Sequence, residues 1–294
     1  MNRNVLIVIL LILAVFLSIG SMFAQSDFQV FNGGANGGVN EKLIGSNSSG
    51  NVTLYGPIEN PDSKIKIAYI IGVHPPEFRV HDALLKIMTS KSNLNYCYYI
   101  YKINAYDYIE AKGKKTEYDG HNNNESSYYR MEGQLFGRDF VVPDVVKADY
   151  SMVVDVHSNH LNDPEDWNIF YSGGGYDYGN FIFTPSNENA MGRNYLISRE
   201  MVEYYLSNNP LLKDYVPKSQ TSPPYVTIPI MASGKRTFYY ETYVRDPDMY
   251  SLLEHFLDSV DNTPSQQFGV DDNSLMKNNI SNDRVITAGL EKCG

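Results

Sequence analysis

Cysteine is nearly absent from this chain of 294 residues: there are two, Cys97 and Cys293. Two cysteines make no disulfide framework and exclude a zinc site built from thiolates. Cys97 lies in NYCYYIYKI, a run that reads as a buried strand. Positive charge is also scarce, with 24 Lys and Arg against 34 Asp and Glu and a formal net charge of −10. No basic stripe offsets it, which argues against nucleic acid as a partner and leaves small molecules, peptides or wall polymers.

Between Arg3 and Asp27 no charged residue occurs. One basic residue followed by a long apolar run is the pattern of an export signal. Residues 1–24 are expected to be a cleaved signal peptide or, since the uncharged run nearly suffices to span a bilayer, an N-terminal membrane anchor. Either outcome places the protein outside the cytoplasm, secreted or held at the outer face of the cell membrane. Residues 25–54 are rich in Gly, Asn and Ser and read as a flexible tether. The folded domain is expected over residues 55–261, with 262–294 as a polar tail. Sequons at Asn47, Asn51, Asn124 and Asn279 fall in polar stretches where loops are expected.

Within the domain, KIKIAYIIGVH is an apolar strand, and EFRVHDALLKIMTSK carries helical spacing through Phe78, Ala83, Leu84, Ile87 and Met88. NYCYYIYKI, DYSMVVDVHSNH, NIFYSGGG, FIFTPS, YVTIPI and RTFYYETYVRD read as further strands. ENAMGRNYLISREMVEYYLSN and DPDMYSLLEHFLDSV read as helices. The long polar stretch YDYIEAKGKKTEYDGHNNNESSYY is either disordered or a functional rim. Strands alternating with helices predict a single α/β domain with a central mixed, largely parallel β-sheet flanked by helices. Ligands in such sheets sit at the carboxyl ends of strands, where His74 and His157 both fall.

IIGVHPPE carries chemistry at that edge. The strand delivers His74, Pro75 and Pro76 stiffen one tight turn, and Glu77 starts a helix, so an imidazole and a carboxylate are aimed at one spot. A nitrogen and an oxygen ligand suit zinc, and His157 at the end of VVDVH supplies the third, leaving a position for water. Asp155 shares the parity of His157. His81, one helical turn beyond Glu77, and His160, in the next loop, compete for the same role; His121 and His255 read as surface residues. Glu241 stands inside an aromatic strand, where burial raises a carboxylate toward the range of a general base. Arg130 and Arg138 frame RMEGQLFGR, and arginine forks suit carboxylates and oxyanions.

Taken in order, GVHPPE, VVDVHS and RTFYYETYVRD resemble the H-x-x-E, D-x-H-S and T-F-x-x-E-x-R-D signatures of zinc carboxypeptidases. The interval from Arg130 to Arg138 and the short interval from Glu77 to His157 are more similar to the related succinylglutamate desuccinylase and aspartoacylase branch. The resemblance spans roughly residues 65–260. It implies one zinc ion on His74, Glu77 and His157, Glu241 as the base, Arg130 polarising the scissile carbonyl, Arg138 holding a substrate carboxylate, and Tyr225 over the substrate. One departure is Gly137, where these families usually carry Asn before the second arginine. The expected activity is that of an exported zinc metallopeptidase acting on a peptide or cell-wall-derived peptide. The alternatives are an N-acyl amino acid deacylase and a non-catalytic surface binding protein on the same fold.

Overall fold

The computed structural model describes residues 39–105, 123–159, 180–185, 188–216, 222–243 and 248–269. Residues 1–38, the NIFYSGGG stretch, His121, His160, Asn279 and Cys293 lie outside them. Eight strands form one sheet: β1 (Glu41–Asn47), β2 (Gly50–Ile58), β3 (Lys66–Ile71), β4 (Cys97–Ala105), β5 (Met152–Asn159), β6 (Asn180–Phe183), β7 (Lys213–Asp214) and β8 (Arg236–Tyr243). Their order is β1-β2-β4-β3-β5-β8-β6-β7. The central pairs β4–β3, β3–β5 and β5–β8 are parallel, while the β1–β2, β2–β4 and β6–β8 pairs run antiparallel. The predicted mixed, largely parallel α/β sheet is the observed one.

Parallel strands covered on both sides carry continuous apolar sequence rather than alternation, and β3, KIAYII, shows why. Ile67, Tyr69 and Ile71 face one core with Val154 and Val156 of β5, whereas Ala68 and Ile70 face a second core with Val153. Helix α1 (Phe78–Ser90) covers the first core through Val80, Ala83, Leu84, Ile87 and Met88, one stripe at helical spacing. Helices α4 (Glu188–Asn208) and α6 (Met249–Asp261) complete that layer. The second core is closed by α2 (Asn123–Phe136), a π-helical turn at Gly137–Val141, α3 (Val142–Lys147) and α5 (Thr227–Ala232).

Four expectations need correction. The tether assigned to residues 25–54 contains β1 and the start of β2, because Val52 and Leu54 alternate inward with polar neighbours, a strand period hidden by the Gly and Asn around it. Asn51 is consequently a strand residue whose Oδ1 accepts a hydrogen bond from Asn104, not a loop residue. YVTIPI is not a strand: Thr227 to Ala232 are helical, since Pro229 has no N–H to give a ladder yet is tolerated in a first helical turn. The tail begins later than residue 262, with Thr263 and Phe268 buried.

Phe256 of α6 stacks on Tyr240 of β8 at 3.9 Å between centroids and meets Phe238 edge-on. Phe256→Ala is expected to cost about 3–5 kcal/mol, read by urea denaturation. A loss below about 1 kcal/mol would show that α6 does not close this core.

Candidate metal centre

The centre is built where β3 and β5 end. Gly72, at φ 88°, turns the chain out of β3 so close to β4 that a Cβ would lie 2.2 Å from the Ile103 carbonyl oxygen. His74 follows, and the 3-10 turn Pro75–Glu77 swings the Glu77 carboxylate back onto it. His157 arrives from β5. The three side chains are 7, 2 and 2% exposed respectively, and one ligand atom from each lies within 4.8 Å of the others.

Their geometry is convergent. His74 Nδ1 stands 2.9 Å from Glu77 Oε1, His157 Nδ1 stands 3.0 Å from Glu77 Oε2, and the two Nδ1 atoms are 3.1 Å apart. Two ring nitrogens and a carboxylate converge on one point, so the charge of Glu77 there has to be met by ring protons or by a cation held between them. Two nitrogens about 2.0–2.1 Å from a tetrahedral ion stand about 3.3 Å apart, close to the spacing here. The donor set fits a metal ion, and among the described residues it is the one such cluster of His, Cys, Asp or Glu.

The outer contacts fix this arrangement. His157 Nε2 faces Asp155 Oδ1 at 3.0 Å, and Asp155 is fully buried. A carboxylate behind a ligating imidazole sets its orientation and strengthens it as a donor. Behind His74 the partner is an amide: Gln134 Nε2 lies 3.0 Å from His74 Nε2. The Ser158 amide donates to Glu77 Oε2 at 3.0 Å. Burial pulls the His74 imidazole down to about 3. Burial also pulls on His157, but the carboxylates of Asp155 and Glu77 overcome it and hold that ring well above its ordinary value. For Glu77, burial pushes upward and the two imidazoles win, keeping it ionised.

Glu241 sits in register with His157 on the neighbouring strand β8, hence on the same face of the sheet. It keeps some contact with solvent, yet burial, reinforced by Glu77 and Asp155 against His157 and Arg130, raises its carboxyl to about 7. Arg130, in α2, brings Nη2 to 3.8 Å from Glu77 Oε1, and its buried Nε makes no hydrogen bond among the described residues.

No known family model matches the chain, and no curated protein matches it in sequence. Solved structures resemble it at low identity. The product-bound cell shape determinant protein Csd4 from Helicobacter pylori does so with a TM-score of 0.40 and 10% identity, over 72% of this chain and 53% of that one. A succinylglutamate desuccinylase from Vibrio parahaemolyticus gives 0.42 and 14%, over 76% and 74%. A metallo-carboxypeptidase from Burkholderia cenocepacia gives 0.41 and 12%, over 76% and 65%. This chain thus spans about half the length of the Csd4 chain.

His74, Glu77 and His157 converge, with Glu241 and Arg130 beside them, and Asp155, whose contact the sequence leaves open, stands against His157. Arg138 is not drawn into the cluster: it is half-exposed and forms a two-pronged ion pair with Asp139, Nε at 2.6 Å and Nη2 at 2.9 Å. Tyr225 is partly buried against the second core. A Cβ at Gly137 would meet Val226 Cγ2 at 2.6 Å, so the packing leaves no room for a side chain here unless Val226 shifts. His255 is exposed, as expected. His81 is turned away from the metal cluster: its Nε2 donates to the Val156 carbonyl at 3.0 Å, tying α1 to β5 one residue before His157.

Gln134 is not legible in the sequence because RMEGQLFGR has a polar composition that does not announce the end of a helix. Gly133 and Gly137, four apart, were the available signal. A Cβ on Gly133 would lie 2.4 Å from the Val73 carbonyl oxygen, so this glycine lets α2 rest on the backbone beside His74.

Burial holds His81 neutral, its pKa pushed down to about 4. Between about pH 6.5 and 4 the unfolded chain therefore binds a proton there that the folded chain refuses, and stability falls as pH falls. His81→Gln, which keeps a donor for Val156, is expected to remove up to roughly 3 kcal/mol of the loss between pH 7 and 4. Urea denaturation at the two pH values reads it; parallel losses in both proteins would refute the assignment.

Proposed function

We propose that this protein is an exported zinc-dependent hydrolase that cleaves an amide bond of a peptide or cell-wall-derived peptide. One observation carries the proposal. A buried two-histidine, one-glutamate ligand set stands beside a carboxylate, Glu241, whose proton affinity is tuned near neutrality.

A zinc ion held by three protein ligands with an open position supplies Lewis acidity and a water of lowered pKa. The residues of the chain do the rest. Glu241 takes the proton of the water whose oxygen attacks the carbonyl carbon, then returns it to the amine as the C–N bond breaks, leaving a carboxylic acid and an amine. Arg130, a third exposed and with Nε unengaged among the described residues, offers its guanidinium to the oxygen on which negative charge develops. Asp155 and Gln134 hold the two imidazoles in aim. Arg138 and Tyr225, set apart at the π-helical turn and α5, are assigned to substrate binding rather than chemistry.

Deacylation of an N-acyl amino acid uses the same residues, and the pairing of Arg138 with Asp139 bears on the choice, because a substrate carboxylate has to compete with Asp139 for that guanidinium. A panel of short peptides against N-acyl amino acids separates the two activities. Export rests on the uncharged run after Arg3. Among the described residues no helix is long and apolar enough to cross a membrane.

Zinc content by elemental analysis is expected at about one equivalent in the wild type and to be lost in His157→Ala. Glu241→Gln should lower kcat by about 10²–10⁴-fold while zinc stays bound, and retained turnover would remove Glu241 from its role. A base with a pKa of about 7 must be deprotonated to act, so kcat/KM is expected to fall as pH drops below neutrality. Absence of zinc in the wild type, even after zinc is added back, would leave a binding protein.

A further inference from the structure

Gln134 is buried, 1% exposed, and its amide nitrogen points at His74 Nε2 from 3.0 Å. In that orientation the amide donates, so Nε2 is the accepting nitrogen and the ring proton is on Nδ1, where Glu77 Oε1 receives it at 2.9 Å. This is a complete hydrogen-bonding scheme for a metal-free neutral imidazole. A metal on Nδ1 requires the other tautomer, with the proton on Nε2. An amide serves that tautomer as well, because its oxygen and nitrogen ends are nearly the same size and half a turn about χ3 exchanges donor for acceptor. A carboxylate, as on the other imidazole, only accepts: Asp155 favours a proton on His157 Nε2 whether or not a metal is present.

We propose that Gln134 is a positioning residue whose amide turns over with metal occupancy, supporting His74 in both its metal-free and its metal-loaded tautomer and thereby keeping the centre readily reversible. The proposal rests on the reading of His74, Glu77 and His157 as a metal centre. Its structural basis is the packing of α2, which Gly133 seats against the Val73 carbonyl, so that Gln134 and Arg130, one helical turn apart, reach the same cluster.

Two variants separate the roles. Gln134→Glu can only accept, so it holds the proton on Nε2 in advance and is expected to tighten zinc by about 10-fold or more; Gln134→Leu fills similar space with no polar end and is expected to weaken it by about 10–100-fold. Apparent zinc affinity is read by competition with a chelating dye on the whole protein. Imidazole ¹⁵N shifts of the metal-free protein give a second readout that needs neither turnover nor metal: His74 is expected to carry its proton on Nδ1 in the wild type and to gain one on Nε2 in Gln134→Glu. Equal zinc affinity in all three proteins, weaker binding by Gln134→Glu, or an Nε2 proton in the metal-free wild type would each overturn the proposal. Should Gln134→Leu fail to fold, the affinity and the shifts of Gln134→Glu decide alone. A wild type that binds no zinc sinks the metal-centre reading itself, while equal binding by all three sinks only the role of the amide.

Discussion

The carboxylate of Glu77 is the charge around which this end of the molecule is organised. At 2% exposure it has almost no water to solvate it, and an isolated buried carboxylate costs several kcal/mol. Three separate pieces of chain meet that demand. Its own 3-10 turn brings it to His74, the end of β5 contributes His157 and the Ser158 amide, and α2 contributes Arg130 at 3.8 Å. Apart from the His74–Glu77 and His157–Ser158 pairs, none of these groups is close to another in sequence. The strand register of the parallel sheet is therefore what makes the burial of Glu77 tenable, and Glu77 in turn holds the strand ends together.

The sheet divides the labour between its faces. On β5, alternation sends Met152, Val154 and Val156 into the core under α1, α4 and α6, and sends Val153, Asp155 and His157 to the other side. The same rule on β8 puts Tyr240 with Phe256 in the first core and Tyr239 and Glu241 beside the histidines. A slip of one residue between β5 and β8 would exchange the apolar set and the set facing the candidate metal centre wholesale. The large aromatic core under α6 is thus part of the positioning apparatus, since it is what forbids that slip. His81 adds a direct tie across this division, from the apolar side of α1 to the backbone of Val156.

What the sequence could and could not reveal follows from the range of the interactions involved. Strands buried on both faces announce themselves as apolar runs, and histidines at their ends are legible as edge residues, so β3, β5, β8 and the set His74, Glu77, His157 and Glu241 could be read directly. The π-helical turn, the helix at Thr227–Ala232 and the hairpin of β1 and β2 were not legible, because their sequences carry the composition of something else: YVTIPI has strand residues around a proline, and the hairpin strands hide a period of two among Gly and Asn. Gln134 was invisible for a different reason. Its role depends on how closely a helix approaches a backbone sixty residues away, and only Gly133 marks that approach.

The departure at Gly137 has a physical cause that bears on substrate choice. Val226 occupies the volume into which a side chain at position 137 would project, 2.6 Å from where its Cβ would be. A side chain there would require the Val226 side chain, fully buried in the second core, to give way. If Arg138 receives a substrate carboxylate, as proposed, it does so while already holding Asp139 through two hydrogen bonds. An exposed pair of this kind is weak, so Asp139 is displaceable, but each displacement subtracts from the affinity that a free carboxylate would otherwise gain. A substrate whose main contacts lie elsewhere loses nothing. Under the proposed role of Arg138, its pairing with Asp139 at the π-helical turn weighs toward substrates recognised by more than a terminal carboxylate.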